Sequence, residues 1–483
     1  MNRKMVFYMV GRLIQAEAIL LVLPLIAALC YRETSVVLAF LITAILAAAL
    51  GTLLTFFKPK NRLIFSKDGF IIVALAWVLM SAIGALPFVL SKEIPSYIDA
   101  FFETVSGFTT TGASVVTDIE ALSHGVLFWR SFTHWVGGMG VLVFIMAIFP
   151  SDSGRSIHIM KAEMPGPIVG KLVPKIKDTA KILYLIYIVM TVLQVIFLLC
   201  GGMSFFESLL HAFGTAGTGG FGVKADSIAS YSPYIQWVIT IFMLLFGINF
   251  NLYYLVLIHR AKQIFKSTEL WVYLGIFLAA SIAIAYSIRE SVQTFGEAFR
   301  LSSFQVSSIL TTTGYTTTDF NLWPEFSKGI LLMIMLIGGC AGSTAGGLKV
   351  SRVVLLFQMI RRDLRQMLHP RSVGMVKLEG KQVDDKTLNG VGIYFAAYCT
   401  LLFSVFLLLC LEPNPPFDFE TTFSSAVSCF NNVGPAFGAA GPAASYAEYS
   451  AFSKILLSVA MLLGRLEIYP MLFLLSPSAW SKK

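Results

Sequence analysis

Four short segments rich in threonine and glycine interrupt the apolar sequence of this chain, and their residue types suit the binding of a metal cation. The four threonine-glycine loops are Thr110-Thr111-Gly112, Gly217-Thr218-Gly219 followed by Gly220, Thr312-Thr313-Gly314 and Asn432-Val433-Gly434. A ring of backbone carbonyl oxygens can replace the hydration shell of a cation without adding fixed charge. Glycine tolerates the backbone angles that point successive carbonyls the same way. The glycines predicted to be essential are Gly112, Gly219, Gly314 and Gly434.

The spacing of these loops indicates an internal repeat, because they recur about every 100 residues. Each loop follows an amphipathic stretch of about ten residues, which is too short to cross a hydrocarbon layer of about 30 Å. Each stretch begins with aromatic and acidic residues, as in Phe205-Phe206-Glu207, and a carboxylate suits the first turn of a helix. Four ordinary amphipathic surface helices are the alternative, but they give no reason for such similar loops.

The predicted fold is therefore an all-α membrane protein of four pseudo-symmetric units around one pore. Each unit has a helix, a re-entrant half-helix with its loop, and a second helix. The predicted units cover residues 68–155, 175–265, 268–370 and 388–478. Two further transmembrane helices are predicted within residues 1–67, before the first unit.

The composition supports this prediction. Among 483 residues, 56% are hydrophobic, 13% are charged and the mean hydropathy is +0.76, outside the range of soluble globular chains. Apolar runs of nearly spanning length predict about ten transmembrane helices. The runs cover residues 6–30, 35–57, 69–90, 127–149, 181–201, 234–258, 269–287, 329–360, 390–411 and 453–475.

Lysine and arginine concentrate in alternate loops, for example in residues 58–67 and 361–371. This positive-inside pattern predicts that those loops and the N-terminus are cytoplasmic and that the threonine-glycine loops open toward the outside. It also accounts for the net charge of +9 without a nucleic-acid partner. The first apolar run has no small-residue cleavage site, so it is interpreted as a retained helix.

Enzymatic and metalloprotein functions find little support in the sequence. The six cysteines form no CxxC pair, and the six histidines lack the HExxH spacing of a zinc site. A nucleophile with an evident base and orienting group is also absent from the sequence pattern. The sequence therefore predicts no enzyme and no catalytic residues.

The second half of the third unit contains a glycine-rich segment within an apolar run that is too long for one straight span. Its candidate gate residues are Gly338, Gly339, Gly342, Ser343, Thr344, Gly346, Gly347 and Lys349. Glycines at this density break a helix. We interpret the segment as a flexible intramembrane loop that can block or clear a permeation path. Close helix packing through small residues and a phosphate-binding loop, for which the GxxxxGK[ST] spacing is missing, are the alternatives.

Arg465 lies inside the last apolar run, where a charge is costly and usually faces a cavity or a partner. We interpret it as a gate residue whose positive charge opposes cations until the glycine-rich segment moves. The alternative is a structural ion pair with a carboxylate such as Glu467, although residues two apart on a helix do not face each other. Lys349 is a further candidate for the same role.

These features together resemble the membrane subunit of bacterial Trk potassium uptake systems, in the superfamily that includes Ktr and plant high-affinity potassium (HKT) transporters. The resemblance covers essentially the whole chain. Its more specific matches are His134-Trp135-Val136-Gly137-Gly138-Met139-Gly140, residues 161–167, residues 338–349 and Gly464-Arg465-Leu466-Glu467. The loops lack the Thr-Val-Gly-Tyr-Gly string of tetrameric potassium channels, and Asn432-Val433 replaces the threonines in the fourth loop. We therefore expect a pseudo-symmetric ring with fewer stacked ion sites.

The resemblance implies potassium as the transported ion, a location in the bacterial inner membrane and a homodimer in which each protomer has its own pore. It also implies a cytoplasmic regulatory subunit that binds nucleotide and moves the gate, while this chain itself binds none. Residues 171–177 and 361–371 are candidate docking surfaces, with anchoring to membrane lipid as the equal alternative. A secondary transporter of another cation or solute, coupled to protons or sodium, is the alternative function; such proteins usually have two inverted halves.

Overall fold

The structure, a computed structural model, describes residues 2–56, 59, 65–140, 176–372, 374–412 and 417–480. Within these ranges it is mostly helical, and six helical segments are long and apolar enough to cross a membrane. They are Arg3–Cys30, Thr34–Phe56, Lys67–Leu90, Ala180–Cys200, Thr268–Ile288 and Asp385–Leu409. A seventh span is obtained when the bent pair Pro233–Phe246 and Phe250–Leu257 is counted as one. The predicted all-α membrane fold is confirmed.

The N-terminal part forms two spans, as predicted. Helices α1 (Arg3–Leu20) and α2 (Val22–Cys30) follow each other as the first span, and α3 (Thr34–Phe56) returns beside them. Glycine permits this close packing, because a Cβ atom on Gly11 would lie 2.9 Å from the carbonyl oxygen of Gly51.

The described parts of the four units share one order of elements, which is a first helix, a half-helix and a second helix. The first helix is divided in the first unit, and the second helix is divided in the other three. The first unit contains α4 (Ser66–Gly84), α5 (Leu86–Leu90), α6 (Tyr97–Phe108) and α7 (His124–Gly138). The second contains α8 (Ile176–Cys200), α9 (Phe205–Gly217), α10 (Pro233–Phe246) and α11 (Phe250–Leu257). The third contains α12 (Thr268–Ile288), α13 (Phe295–Leu310), α14 (Glu325–Ile337) and α15 (Val350–Leu368). The fourth contains α16 (Asp385–Leu409), α17 (Phe419–Asn431), α18 (Ala451–Arg465) and α19 (Tyr469–Leu475).

Short elements connect these helices. The strands β1 (Lys377–Leu378) and β2 (Lys381–Gln382) form an antiparallel hairpin between α15 and α16. Single 3-10 turns cover Ala261–Lys266, Phe320–Leu322, Gly438–Ala440 and Pro477–Trp480.

The half-helices α6, α9, α13 and α17 have 12 to 16 residues and are capped in the same way. In each, a side-chain oxygen of the residue before the helix accepts a hydrogen bond from the backbone of the third helical residue, which satisfies an otherwise free donor. The four capping residues are Ser96, Ser204, Thr294 and Asp418. Hydrogen bonds from the side chain and backbone of Thr421 lower the pKa of the Asp418 carboxyl. The N-termini of the half-helices are thus polar, whereas their C-terminal turns are buried.

The second helices of the second, third and fourth units are interrupted. In the second unit α10 and α11 meet at 89° around residues 247–249. In the third unit the glycine-rich segment separates α14 from α15, and in the fourth Glu467 and Ile468, both with positive φ, separate α18 from α19. The sequence indicated a break only in the third unit. Continuous hydropathy hides the other breaks, because the interrupting residues are few.

Candidate functional site

The four threonine-glycine loops share one backbone conformation. In each loop the first residue lies in the left-handed region, and a glycine two positions later also has positive φ. The first residues are Thr110, Thr218, Thr312 and Asn432, with φ between 54° and 58°. The glycines are Gly112, Gly220, Gly314 and Gly434, with φ between 76° and 102°.

This conformation corrects the register that was predicted for the second loop. Gly220, and not Gly219, has the positive φ of Gly112, and Thr218 corresponds to Thr110. Gly219 corresponds to Thr111, and Gly217 lies at the end of the half-helix, in the position of Thr109. With three glycines within four residues, the sequence offers no local signal for which of them takes the left-handed conformation.

The four loops close a ring, and each glycine touches the backbone of the next loop. A Cβ atom added to any of these glycines would overlap a carbonyl oxygen. The overlapping pairs are Gly112 with Gly219, Gly220 with Thr313, Gly314 with Val433, and Gly434 with Thr111. Each contact joins one unit to the following unit, and the fourth returns to the first. The loops therefore surround one axis with backbone atoms, and a larger residue does not fit at the glycine positions.

A cavity lies on each side of this ring. On one side, a vestibule of about 400 Å³ is lined by the four glycines Gly112, Gly220, Gly314 and Gly434. On the other side, a cavity of about 60 Å³ is lined by Gly346, Lys349 and Arg465 among others. The backbone N–H of Gly346 donates to the Thr312 hydroxyl at 2.6 Å, so this smaller cavity adjoins the first residues of the loops and the vestibule adjoins the glycines.

The glycine-rich segment, residues 338–349, is held beneath the ring by contacts with the second unit. The Cys340 N–H donates to the Gly247 carbonyl at 3.0 Å, and the Thr344 hydroxyl donates to the Phe246 carbonyl at 3.2 Å. Both acceptors lie at the break between α10 and α11. Gly338, Gly342 and Gly347 have positive φ, which explains the density of glycine in this segment.

Arg465 joins three units through backbone carbonyls. Its guanidinium donates to the carbonyl of Thr344 at 2.8 Å and to those of Gly137 and Gly138 at 2.7 and 2.8 Å. The latter two carbonyls belong to the C-terminal turn of α7, where the helix dipole is negative. The side chain therefore bridges the glycine-rich segment of the third unit and the second helix of the first.

Other charges surround the smaller cavity. The Lys349 ammonium donates to the Ala345 carbonyl inside the glycine-rich segment, and only 7% of Lys349 is exposed. Glu467, which the sequence suggested as an alternative partner of Arg465, forms a buried ion pair with Arg352. Among the residues that line the cavity, the two cations Lys349 and Arg465 thus outnumber the one carboxylate, Glu467.

Sequence reasoning missed a second group of residues, which supports the ring from the vestibule side. Glu103 on α6 and Arg130 on α7 form an ion pair of 2.8 Å in which both side chains are buried. Glu103 also accepts hydrogen bonds from the Val115 N–H and the Ser114 hydroxyl, each at 2.9 Å. The ion pair therefore fixes the chain that leaves the first loop. Both charges lie in apolar sequence, which is the signal that could have revealed them.

The side chain of Asn432 also links the fourth loop to the first. From the sequence, this residue was notable only because it replaces a threonine of the other loops. The Asn432 amide donates to the Thr111 hydroxyl at 3.0 Å and to the Met461 carbonyl at 2.9 Å. Asn432 thus connects neighbouring loops and the helix α18 that leads to Arg465.

The fold and the site define a multi-pass membrane transport protein built from four helix-loop-helix units around a ring of backbone carbonyls. Residues 37–483 match the TrkH family of cation transport proteins. The chain belongs to this family.

Relatives and a solved structure agree with this assignment over full length. The chain is 36% identical to the Trk system potassium uptake protein TrkH of Salmonella typhimurium, over 99% of this chain and 100% of the relative. It is 34% identical to the Trk system potassium uptake protein TrkG of Escherichia coli, over 99% and 98%. Its fold is similar to the crystal structure of the potassium transporter TrkH from Vibrio parahaemolyticus, with a TM-score of 0.90, 32% identity and complete coverage of both chains.

Proposed function

We propose that this chain carries potassium ions into the bacterial cytoplasm through a selectivity filter formed by the four threonine-glycine loops. The observation that carries the proposal is the closed ring in which each loop glycine meets a carbonyl of the next loop. Carbonyl oxygens around one axis are the ligands with which a protein replaces the water shell of potassium. The proposed filter residues are Thr110, Thr111, Gly112, Thr218, Gly219, Gly220, Thr312, Thr313, Gly314, Asn432, Val433 and Gly434, with Gly217 at its edge.

The family and the functions of the relatives support potassium as the cargo. The relatives of Salmonella and Escherichia coli are potassium uptake proteins of the Trk system. The inside-negative potential contributes about 2.3 kcal/mol per charge per 100 mV, so uptake needs no hydrolysis by this chain.

The glycine-rich segment and Arg465 form the proposed gate. The cavity beneath the ring has a volume of only about 60 Å³, which is room for a few water molecules at most. The Lys349 and Arg465 charges that line it oppose the passage of a cation. Opening therefore requires the segment to move away and Arg465 to leave the Thr344 carbonyl.

The proposal also covers the orientation of the chain in the membrane and its protein partners. The vestibule faces outward, the gate and the N-terminus face the cytoplasm, and the protein works as a homodimer in the inner membrane. A cytoplasmic nucleotide-binding subunit docks near the basic residues 361–371 or 171–177 and moves the glycine-rich segment; residues 171–175 lie outside the described part of the chain. This chain contributes no nucleotide site to that assembly.

Radioactive rubidium uptake in cells that lack their own potassium systems tests the proposal, both with and without a co-expressed regulatory subunit. Uptake that excess potassium suppresses, and excess sodium does not, is expected for the unchanged chain. Gly220→Ala should abolish this discrimination, because its Cβ atom would overlap the Thr313 carbonyl. Gly222→Ala is the matched control, since a Cβ atom there makes only ordinary contacts of 3.5 Å or longer. An unchanged chain that takes up no rubidium under either condition would refute potassium transport.

A further inference from the structure

His134, on α7, lies directly behind the second loop of the ring and is fully buried. Its ring atoms Nδ1, Cγ and Cε1 occupy the space that a Cβ atom of Gly219 would need. Its backbone carbonyl occupies the corresponding space at Gly217. His134 thus fills the space beside both Gly217 and Gly219, the two positions compared below at which the second loop has no side chain.

The other three loops fill the same two positions with their own side chains. In the first loop the hydroxyls of Thr109 and Thr111 pair at 2.8 Å, and in the third those of Thr311 and Thr313 pair at 2.7 Å. In the fourth loop the positions hold Asn431, which accepts a hydrogen bond from Tyr398 at 2.8 Å, and the buried Val433. Each loop is therefore supported from behind, and only the source of the support differs.

The His134 ring also holds the residue after Gly220. It stacks on the Phe221 ring with a centroid distance of 4.2 Å and an interplanar angle of 24°. The Arg130 guanidinium, one turn earlier on the same face of α7, lies 4.2 Å from the centroid of the same ring. Phe221 is therefore fixed from α7, and the short stretch from Gly219 to Phe221 is held along its length.

We propose that His134 is a positioning residue of the selectivity filter, which sets the Gly219 carbonyl at its place in the ring by occupying the space of the missing side chain. This inference rests on the proposed function of the loops. Neither ring nitrogen has a hydrogen-bond partner among the residues that the structure describes. The residue therefore acts through its shape, and a side chain supplied from the loop itself can replace it.

A double-variant cycle tests this exchange, with the ratio of rubidium uptake under competing potassium and sodium as the readout. His134→Ala should lower the discrimination against sodium about tenfold, the size of effect that a missing methylene has in a fitted site. His134→Gln, which keeps most of the volume, should retain most of it. Gly219→Thr alone should lose transport, because its Cβ atom would overlap the His134 ring. The double variant His134→Ala with Gly219→Thr supplies a loop side chain at the position of Thr111 and Thr313 and should regain discrimination.

His124→Ala is the matched control, because this histidine begins the same helix α7, has a side chain that is 44% exposed and pairs with Glu33, so its loss should leave discrimination unchanged. The inference is overturned if His134→Ala discriminates like the unchanged chain, or if the double variant does no better than His134→Ala. Should His134→Ala fail to accumulate in the membrane, the double variant decides: discrimination supports the inference, and its loss overturns it. An unchanged chain without rubidium uptake would instead refute the proposed function itself.

Discussion

Replacing Arg465 by alanine should increase cation flux, because this side chain ties the glycine-rich segment to a fixed helix. The guanidinium donates to the Thr344 carbonyl on the segment and to the Gly137 and Gly138 carbonyls on α7. Alanine removes all three hydrogen bonds together with the positive charge beside the cavity of about 60 Å³. Both losses favour the open path.

The size of the effect follows from the hydrogen bond to Thr344, since this bond must break for the segment to leave. A hydrogen bond to a charged group contributes about 1.5–3 kcal/mol, and 1.4 kcal/mol corresponds to about tenfold in an equilibrium. We count only this bond, because the two bonds to α7 can persist in both states. The expected increase in rubidium flux is therefore about tenfold at the lower limit. The lost charge acts in the same direction.

The assay is rubidium efflux from vesicles that contain purified protein without its regulatory subunit. Arg465→Lys keeps the charge but lacks the planar fork that reaches several carbonyls, so its flux should lie between those of the unchanged protein and Arg465→Ala. Arg289→Ala, which removes an arginine that is 44% exposed, is the matched control and should leave flux unchanged. Equal flux in Arg465→Ala and the unchanged protein, with the same elution profile in detergent, would refute the gating role.

Three further substitutions address the ring and its supports. Gly112→Ser should relax discrimination against sodium, because the added side chain overlaps the Gly219 carbonyl; competition uptake with intact ion preference would show that this loop does not line the constriction. Glu103→Gln should destabilise the protein by up to about 3–5 kcal/mol by leaving the buried Arg130 without its counter-charge, which a lowered melting temperature in detergent would reveal and an unaltered one would contradict. Asn432→Leu should cost about 1–3 kcal/mol, because it removes two hydrogen bonds of about 0.5–1.5 kcal/mol each, to the Thr111 hydroxyl and the Met461 carbonyl. Titration with a denaturing detergent measures this loss, and additivity with Thr111→Val would argue against the link.

The sequence predicts the repeated architecture because the signals for it are local. Apolar length, acidic first turns and threonine-glycine loops all act within one unit. The register of the second loop depends on contacts with distant residues. Gly219 lies against the His134 ring, whereas Gly220 lies against the Thr313 carbonyl. The Glu103 to Arg130 ion pair likewise joins positions 27 residues apart, and only the packing of α6 on α7 brings them together.

The proposed gate would explain why four unequal repeats in one chain suit this site. The ring needs four loops of one conformation, and the units supply them with different residues. The parts of the proposed gate occur once each: the glycine-rich segment in the third unit and Arg465 in the fourth. Four identical subunits would place four arginines beside the axis, and each buried charge would add its own desolvation cost. A single chain can place one arginine there and bind its guanidinium to carbonyls of two other units. In the proposed gate, one charge held in this way opposes a cation and can still be displaced.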